Sequence, residues 1–322
     1  MFPKLFAPIL MTLSILAGVQ LGKTTSSDPS TEVDFFSFEK NFAATIIENL
    51  PWKLAPEIPP IQNPAPSKLP EAEIVPAPDL KIKAGISADE KNHIYYEKNS
   101  NQRLPIASIT KLITALVVLD NLNQNNIAAI SKNSVDTYGE MGDLVVDEKI
   151  SVKNLLYVML IDSSNDAAVA LAETINQNNK NIVELMNAKA KTLGLINSSF
   201  SDPAGLNSDN FSTASDLFKL TDIALKNSLI REIIGTEETD VFSTDNKIKH
   251  HLKNTNKLLS KIDEVIGGKT GYTEEAGECL ILAIEHQPSK TYFITIILGA
   301  EIGTRFQESE KLINWTKKIY RW

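Results

Sequence analysis

The run PIASITKLITALVVLD, residues 105–120, decides how the rest of the chain is read. From Leu112 to Leu119 every residue but Thr114 is apolar. The pattern predicts a helix over 107–122 that is apolar on almost every face, and such a helix belongs at the centre of a domain. Into this segment the sequence sets a serine, Ser108, and three residues later a lysine, Lys111. Positions i and i+3 share a helix face, so the amine can lie against the hydroxyl. A serine hydroxyl is a weak nucleophile until a base stands beside it. Burial among apolar side chains, or a second cation nearby, favours the neutral amine, so Lys111 is expected to have a depressed pKa and to act as that base. In the first turn of the helix the Ser108 N–H has no intrahelical partner and can face a developing oxyanion.

The S-x-x-K pattern is short, and it occurs a second time as SFEK, Ser37 to Lys40, on the polar face of an expected amphipathic helix over 33–50. Two further elements single out Ser108. SSN, Ser163-Ser164-Asn165, falls between two apolar helical stretches, where its side chains can enter a shared cleft; S-x-N also occurs at 131–133 and 208–210. GGKTGYT, residues 267–273, holds the one K-T-G of the chain. Its glycines let a backbone edge come close to a ligand. Lys269 adds a second cation, and Thr270 a hydroxyl suited to a carboxylate. Taken in order, the three elements form the signature shared by penicillin-binding proteins and class A β-lactamases.

Around these motifs the chain falls into three parts: 1–22, 23–80 and 81–322. LFAPILMTLSILAGVQLG, residues 5–22, carries no charge and follows Lys4, which reads as an N-terminal anchor or a signal peptide. With Lys4 on the cytoplasmic side the main body is exported. Residues 51–80 hold nine of the fifteen prolines and read as a semi-rigid tether, reaching roughly 90 Å if fully extended. From 81 onward the pattern is globular. IKAGISADEKNHIYYEKN predicts two strands around a turn near Lys91-Asn92. SVKNLLYVML, NDAAVALAETINQ and TASDLFKLTDIALKN predict helices. VIGGKTGYT, CLILAIEHQ and TYFITIILGA predict three strands, and RFQESEKLINWTKKIY a closing helix. Strands at both ends of this region with helices between them imply an α/β (α+β) fold, its antiparallel sheet built from both termini.

Composition narrows the function. A net charge of −8 with no long basic cluster argues against nucleic acid as a partner. The single cysteine, Cys279, can form no internal disulfide and reads as a small core residue. The four histidines show no metal-ligand spacing.

Residues 82–320 resemble the low-molecular-mass penicillin-binding proteins, the serine D-alanyl-D-alanine carboxypeptidases. The resemblance rests on the three motifs and on the blocks YYEKNSNQRLPIASITKLITALVVLD, LLYVMLIDSSNDAAVALAE, FSDPAGL, NTNKLL and GGKTGYTEEAGECLILA. It implies a penicillin-recognising transpeptidase/β-lactamase-like fold, an antiparallel sheet flanked by helices plus an all-helical lobe, with the active site between them. It makes Ser108 the nucleophile and Lys111 the general base. Ser163 and Asn165 relay protons and hold the peptide amide. Lys269, Thr270, Gly271, Tyr272 and Thr273 bind substrate, and the N–H groups of Ser108 and Tyr272 form the oxyanion hole. Arg305 either joins the carboxylate site or caps the last helix. The implied substrate is a peptidoglycan stem peptide ending in D-Ala-D-Ala, with β-lactam antibiotics as inhibitors and no metal or organic cofactor. A β-lactamase would also need an E-x-x-L-N loop, for which the chain has no match. An endopeptidase cutting D-amino-acid cross-links would use the same residues. Ser164 stands where many carboxypeptidases have glycine.

Overall fold

The structure is a computed structural model that describes Ser67–Lys68 and residues 75–321, apart from 140, 141 and 288. The charge-free segment 5–22, the helix expected over 33–50 with its SFEK copy, and most of the proline-rich segment lie outside the described residues. Among the described residues no helix is long and apolar enough to cross a membrane.

Five strands make the central sheet: β1 (Ala84–Asp89), β2 (Ile94–Lys98), β3 (Val265–Thr273), β4 (Gly277–Glu285) and β5 (Tyr292–Ala300). Their order is β3-β4-β5-β1-β2, with every neighbouring pair antiparallel. The sheet is therefore built from both ends of the globular region, as the pattern predicts. The β1–β2 turn centres on Asn92, at φ +66°, and the Asp89 carboxylate staples it by accepting from the N–H groups of Lys91 and His93.

Helices α1 (Lys111–Asn121), α2 (Val152–Ile161), α3 (Asn165–Asn176), α4 (Ile182–Thr192), α5 (Ala214–Lys226) and α6 (Ser228–Ile234) lie between β2 and β3 in sequence. Their starts obey side-chain capping. Ser151, Ser164, Asn181, Thr213 and Asn227 each accept a backbone N–H from the first turn that would otherwise go unpaired. Helix α7 (Arg305–Ile319) closes the domain.

Strands β4 and β5 are covered on both faces, which explains their unbroken apolar runs. On β5, Ile294, Ile296 and Leu298 join the core shared with the helices, while Phe293, Ile297 and Ala300 join a second core with Leu312 and Ile313 of α7. Cys279 of β4 is fully buried, and burial pushes its thiol up to about 11, so it is an inert packing residue.

Two departures from the sequence reading bear on function. The helix read over 107–122 begins as a separate 3-10 turn, Ala107–Thr110, before α1 starts at Lys111. Ala107 sits at φ +47°, a left-handed conformation that no α-helix continues through. The last stretch of the proline-rich segment also belongs to the domain. Ser67–Lys68 pairs antiparallel with Tyr320–Arg321, and the Trp315 indole N–H donates to the Val75 carbonyl at 3.2 Å.

Candidate active site

Ser108 is carried on the 3-10 turn, at the edge where β3 meets the helices. The turn is clamped by two glycines. A Cβ on Gly205, itself at φ +85°, would lie 2.0 Å from the Ala107 carbonyl oxygen, so only glycine fits there. A Cβ on Gly271 would meet the Ile106 carbonyl at 2.9 Å and the Ser108 nitrogen at 3.2 Å. Gly271 of K-T-G thus lets β3 close onto the N–H of the nucleophile. Ile109 and Thr110 are buried, whereas Ser108 keeps part of its surface open to the cleft.

Lys111 begins α1 and is fully buried. Its Nζ lies 2.7 Å from Ser108 Oγ, 2.7 Å from Asn165 Oδ1 and 2.8 Å from the Ala204 carbonyl oxygen. One arm comes from the adjacent turn, one from the start of α3 and one from the 202–207 loop. The sequence-predicted pairing of Ser108 with Lys111 is therefore present. The Ala204 carbonyl was not legible, because a backbone group leaves no residue-type signal.

The SSN element sits at the α2–α3 junction, and each residue has its own task. Ser163 lies at φ +64°, and its Oγ accepts from Lys269 Nζ at 2.7 Å. Ser164 caps α3 by accepting from Ala167 N–H at 2.9 Å and donates its own proton to the Asp166 carboxylate. Asn165 offers Oδ1 to Lys111 and donates Nδ2 to the Tyr138 carbonyl at 2.9 Å, which fixes the orientation of its amide. Asp166 accepts from Gly142 N–H and so ties Gly142 to the same junction. Just before Ser163, burial raises the Asp162 carboxyl, which accepts from Lys253 N–H at 2.7 Å.

Lys269 on β3 is almost completely buried, and Thr270 shares a 2.6 Å hydrogen bond with Thr255 of the NTNKLL block. Tyr272 is 45% exposed at the cleft rim. Thr273 stands at the end of the strand, where its hydroxyl accepts from Ala276 N–H within the β3–β4 turn. Arg305, in the first turn of α7, donates to the Gly271 carbonyl at 2.9 Å and pairs with Glu278 at 3.2 Å. It braces K-T-G from behind, and its own backbone N–H bonds Glu278 at 3.0 Å. Asp166, Asp202, Thr255 and Glu278 are structural members of this site that motif reading did not assign. All four lie in blocks already quoted for the resemblance.

The sequence and the fold have counterparts in known proteins. The D-alanyl-D-alanine carboxypeptidase family model matches residues 72–302. The chain belongs to that family. It is 36% identical over 213 residues to the D-alanyl-D-alanine carboxypeptidase DacF of Bacillus subtilis, an alignment that covers 64% of this chain and 54% of the relative. It is 33% identical over 232 residues to the D-alanyl-D-alanine endopeptidase of Escherichia coli, covering 70% of this chain and 73% of the relative. Among solved structures, the Streptomyces K15 DD-transpeptidase superposes with a TM-score of 0.70 at 30% identity, over 76% of this chain and all of that one. The chain thus spans just over half the length of its Bacillus relative and all of the Streptomyces fold. Membership in this family, and the penicillin-recognising fold expected from the motifs, are borne out.

Proposed function

We propose that the protein hydrolyses the bond between the two terminal D-alanines of peptidoglycan stem peptides through an acyl-enzyme on Ser108. The observation that carries this reading is the convergence of two hydrogen-bonded groups, Ser108–Lys111–Asn165 and Ser163–Lys269, each held by bonds of 2.7 Å. Lys111 takes the Ser108 proton as Oγ attacks the carbonyl carbon of the penultimate D-alanine. The tetrahedral oxyanion lies between the N–H groups of Ser108 and Tyr272, which the close approach of Gly271 supports. Collapse breaks the peptide C–N bond, and the leaving amine takes a proton from Lys111 by way of Ser163. Water then cleaves the ester and returns Ser108. Lys269 and Thr270 hold the substrate's terminal carboxylate, with Arg305 supporting the strand that carries them. A β-lactam acylates Ser108 in the same way through its strained amide. The domain works on the outer side of the cytoplasmic membrane, held there by residues 5–22.

The test is to incubate the full chain with a fluorescent penicillin, map the labelled peptide by mass spectrometry, and measure D-alanine release from a pentapeptide ending in D-Ala-D-Ala. Label on Ser108 with D-alanine release is the expected outcome. Label elsewhere, or none, would sink the reading. The similarity to an endopeptidase favours one alternative, cleavage of cross-linked peptides by the same residues. Label on Ser108 without D-alanine release, together with cleavage of a cross-linked dimer, would select it.

A further inference from the structure

We infer that Asp202 is a positioning residue for the reaction: it holds the Ala204 carbonyl where that group aims the lone pair of Lys111 at Ser108. The inference rests on the reading of Lys111 as the base.

Asp202 folds the loop 202–207 around its own carboxylate. Oδ1 accepts from the N–H groups of Ala204 at 2.7 Å, Gly205 at 2.6 Å and Leu206 at 3.2 Å, and Oδ2 accepts from Asn207 N–H at 2.8 Å. Successive N–H groups pointing into one concavity ordinarily make an anion site, and here the chain's own carboxylate fills it. A trans peptide unit is planar, with its N–H and C=O on opposite sides. Two consecutive units of this loop use both ends. In the Pro203–Ala204 unit the N–H is on Asp202 and the C=O accepts from Thr114 Oγ1 at 2.7 Å. In the Ala204–Gly205 unit the N–H is on Asp202 and the C=O accepts from Lys111 Nζ at 2.8 Å. Thr114 and Lys111 are three residues apart on α1 and share a face. The Asp202 carboxylate therefore sets the orientation of two peptide planes, and these planes present their carbonyls to α1.

The chemical consequence follows from counting donors. A protonated lysine has three N–H donors, and among the described residues three oxygens stand within hydrogen-bond distance of Lys111 Nζ: Ser108 Oγ, Asn165 Oδ1 and the Ala204 carbonyl. The neutral amine that acts as base has two N–H donors and one lone pair. Asn165 Oδ1 and the Ala204 carbonyl can only accept. With both in place they take the two N–H bonds, and the remaining tetrahedral direction, the lone pair, faces the Ser108 hydroxyl. Removing either acceptor lets the amine rotate and turn an N–H toward Ser108. Asn165 is fixed by Tyr138, and Ala204 by Asp202.

The experiment is penicillin acylation of the full chain, resolved into the rate at saturation and the half-saturating concentration. Asp202→Ala is expected to lower the saturated rate roughly 10- to 100-fold, the scale of a misplaced catalytic group. The half-saturating concentration should stay within about twofold and every molecule should eventually be labelled, since binding and fold are not what is lost. Asp202→Asn keeps Oδ1 for the three N–H groups of Ala204, Gly205 and Leu206 but turns its NH2 against the Asn207 N–H and Asn210 Nδ2 donors, so its rate should fall between alanine and the parent. Thr114→Val removes the neighbouring hold without cutting a cavity, and gives a smaller loss in the same direction even if Asp202→Ala does not fold. A saturated rate for Asp202→Ala within about twofold of the parent would overturn the inference. So would a loss confined to the labelled fraction or to half-saturation. Lys111→Ala separates the two claims. If it is inert while Asp202→Ala matches the parent, the inference alone falls. If Lys111→Ala acylates normally, the reading of Lys111 as base falls.

Discussion

At the cleft, β3 meets the Ser108 turn and α3 through buried polar groups: Lys111, Lys269, Ser163 and Asn165, each bonded across a gap between chain segments. On the far face of the same sheet, α7 meets β2 and β5 through rings. Tyr95 lies 4.4 Å from Tyr320 and edge-on to Phe293 at 6.3 Å, and Tyr96 lies edge-on to Trp315 at 6.3 Å. The ring face gains stability in proportion to the area it buries, with a modest directional addition. The polar face gains little net stability, because buried charges give up hydration to get there. What it obtains is a fixed geometry. The polar groups that fix the cleft and the rings that pack α7 thus lie on opposite sides of one sheet and can be broken separately, though the larger apolar core lies on the side of the helices.

The largest expected effect tests the cleft. Lys111→Ala should slow penicillin acylation by roughly 10²- to 10⁴-fold, the range of a lost general base. Its thermal midpoint should drop less than that of a core truncation, because the lost hydrogen bonds to buried oxygens are partly offset by the desolvation cost the amine no longer carries. A midpoint drop as large as that of a core truncation would show that Lys111 is a structural residue and that the division is false. The mirror experiment comes next in size. Phe293→Ala, at 1% exposure, should cost about 3 kcal/mol of stability by denaturant unfolding. The acylation rate of the folded fraction should remain that of the parent. A slowed rate in folded molecules would mean that the two faces are coupled through β5 and β4.

The division also explains what could be read in advance. The sheet strands and α1 were legible because apolar runs and proline boundaries are local signals. Ser108, Lys111 and the K-T-G strand were legible because side-chain chemistry at fixed spacing is local too. The left-handed turn at Ala107 was not, since alanine gives no hint of positive φ and the turn is held by Gly205, nearly a hundred residues away. The same holds for the Ala204 carbonyl, whose role depends on where a loop folds. The hairpin of Glu238–Phe242 and Lys249–Lys253 escaped because only alternate residues are buried in a charged stretch. The tail of the proline-rich segment read as tether because its contacts are backbone bonds to the last helix and strand.

That tail offers a smaller test of the ring face. A fragment beginning at residue 79, which keeps the buried Leu80, loses the Ser67–Lys68 pairing and the Trp315–Val75 bond, while one beginning at 63 keeps both. The shorter fragment should be less stable by about 1–2 kcal/mol, the worth of one or two net hydrogen bonds. The acylation rate should be equal in the two. Equal stability would mean that the strap adds nothing to the core beneath it.

The smallest expected effect lies where the hairpin touches the cleft loop. His250, on the hairpin, is buried against Glu148 at 2.8 Å, at the end of the loop that runs from Tyr138 past Gly142. The Glu148 hydrogen bond raises the His250 pKa above the usual histidine value; burial opposes this, and the charges of Glu148, Asp143 and Asp166 add to it. A raised folded-state pKa means that the native state holds the proton more tightly than the unfolded chain. The stability this contributes is fully present below the unfolded value near 6.5 and is lost as pH rises through the higher folded value. The thermal midpoint should therefore fall as pH is raised across the neutral range, and the slope should flatten in His250→Gln. The effect is small because the neutral imidazole can still donate to Glu148 above that range. A parent midpoint that is flat or rises over the same interval would place the proton elsewhere.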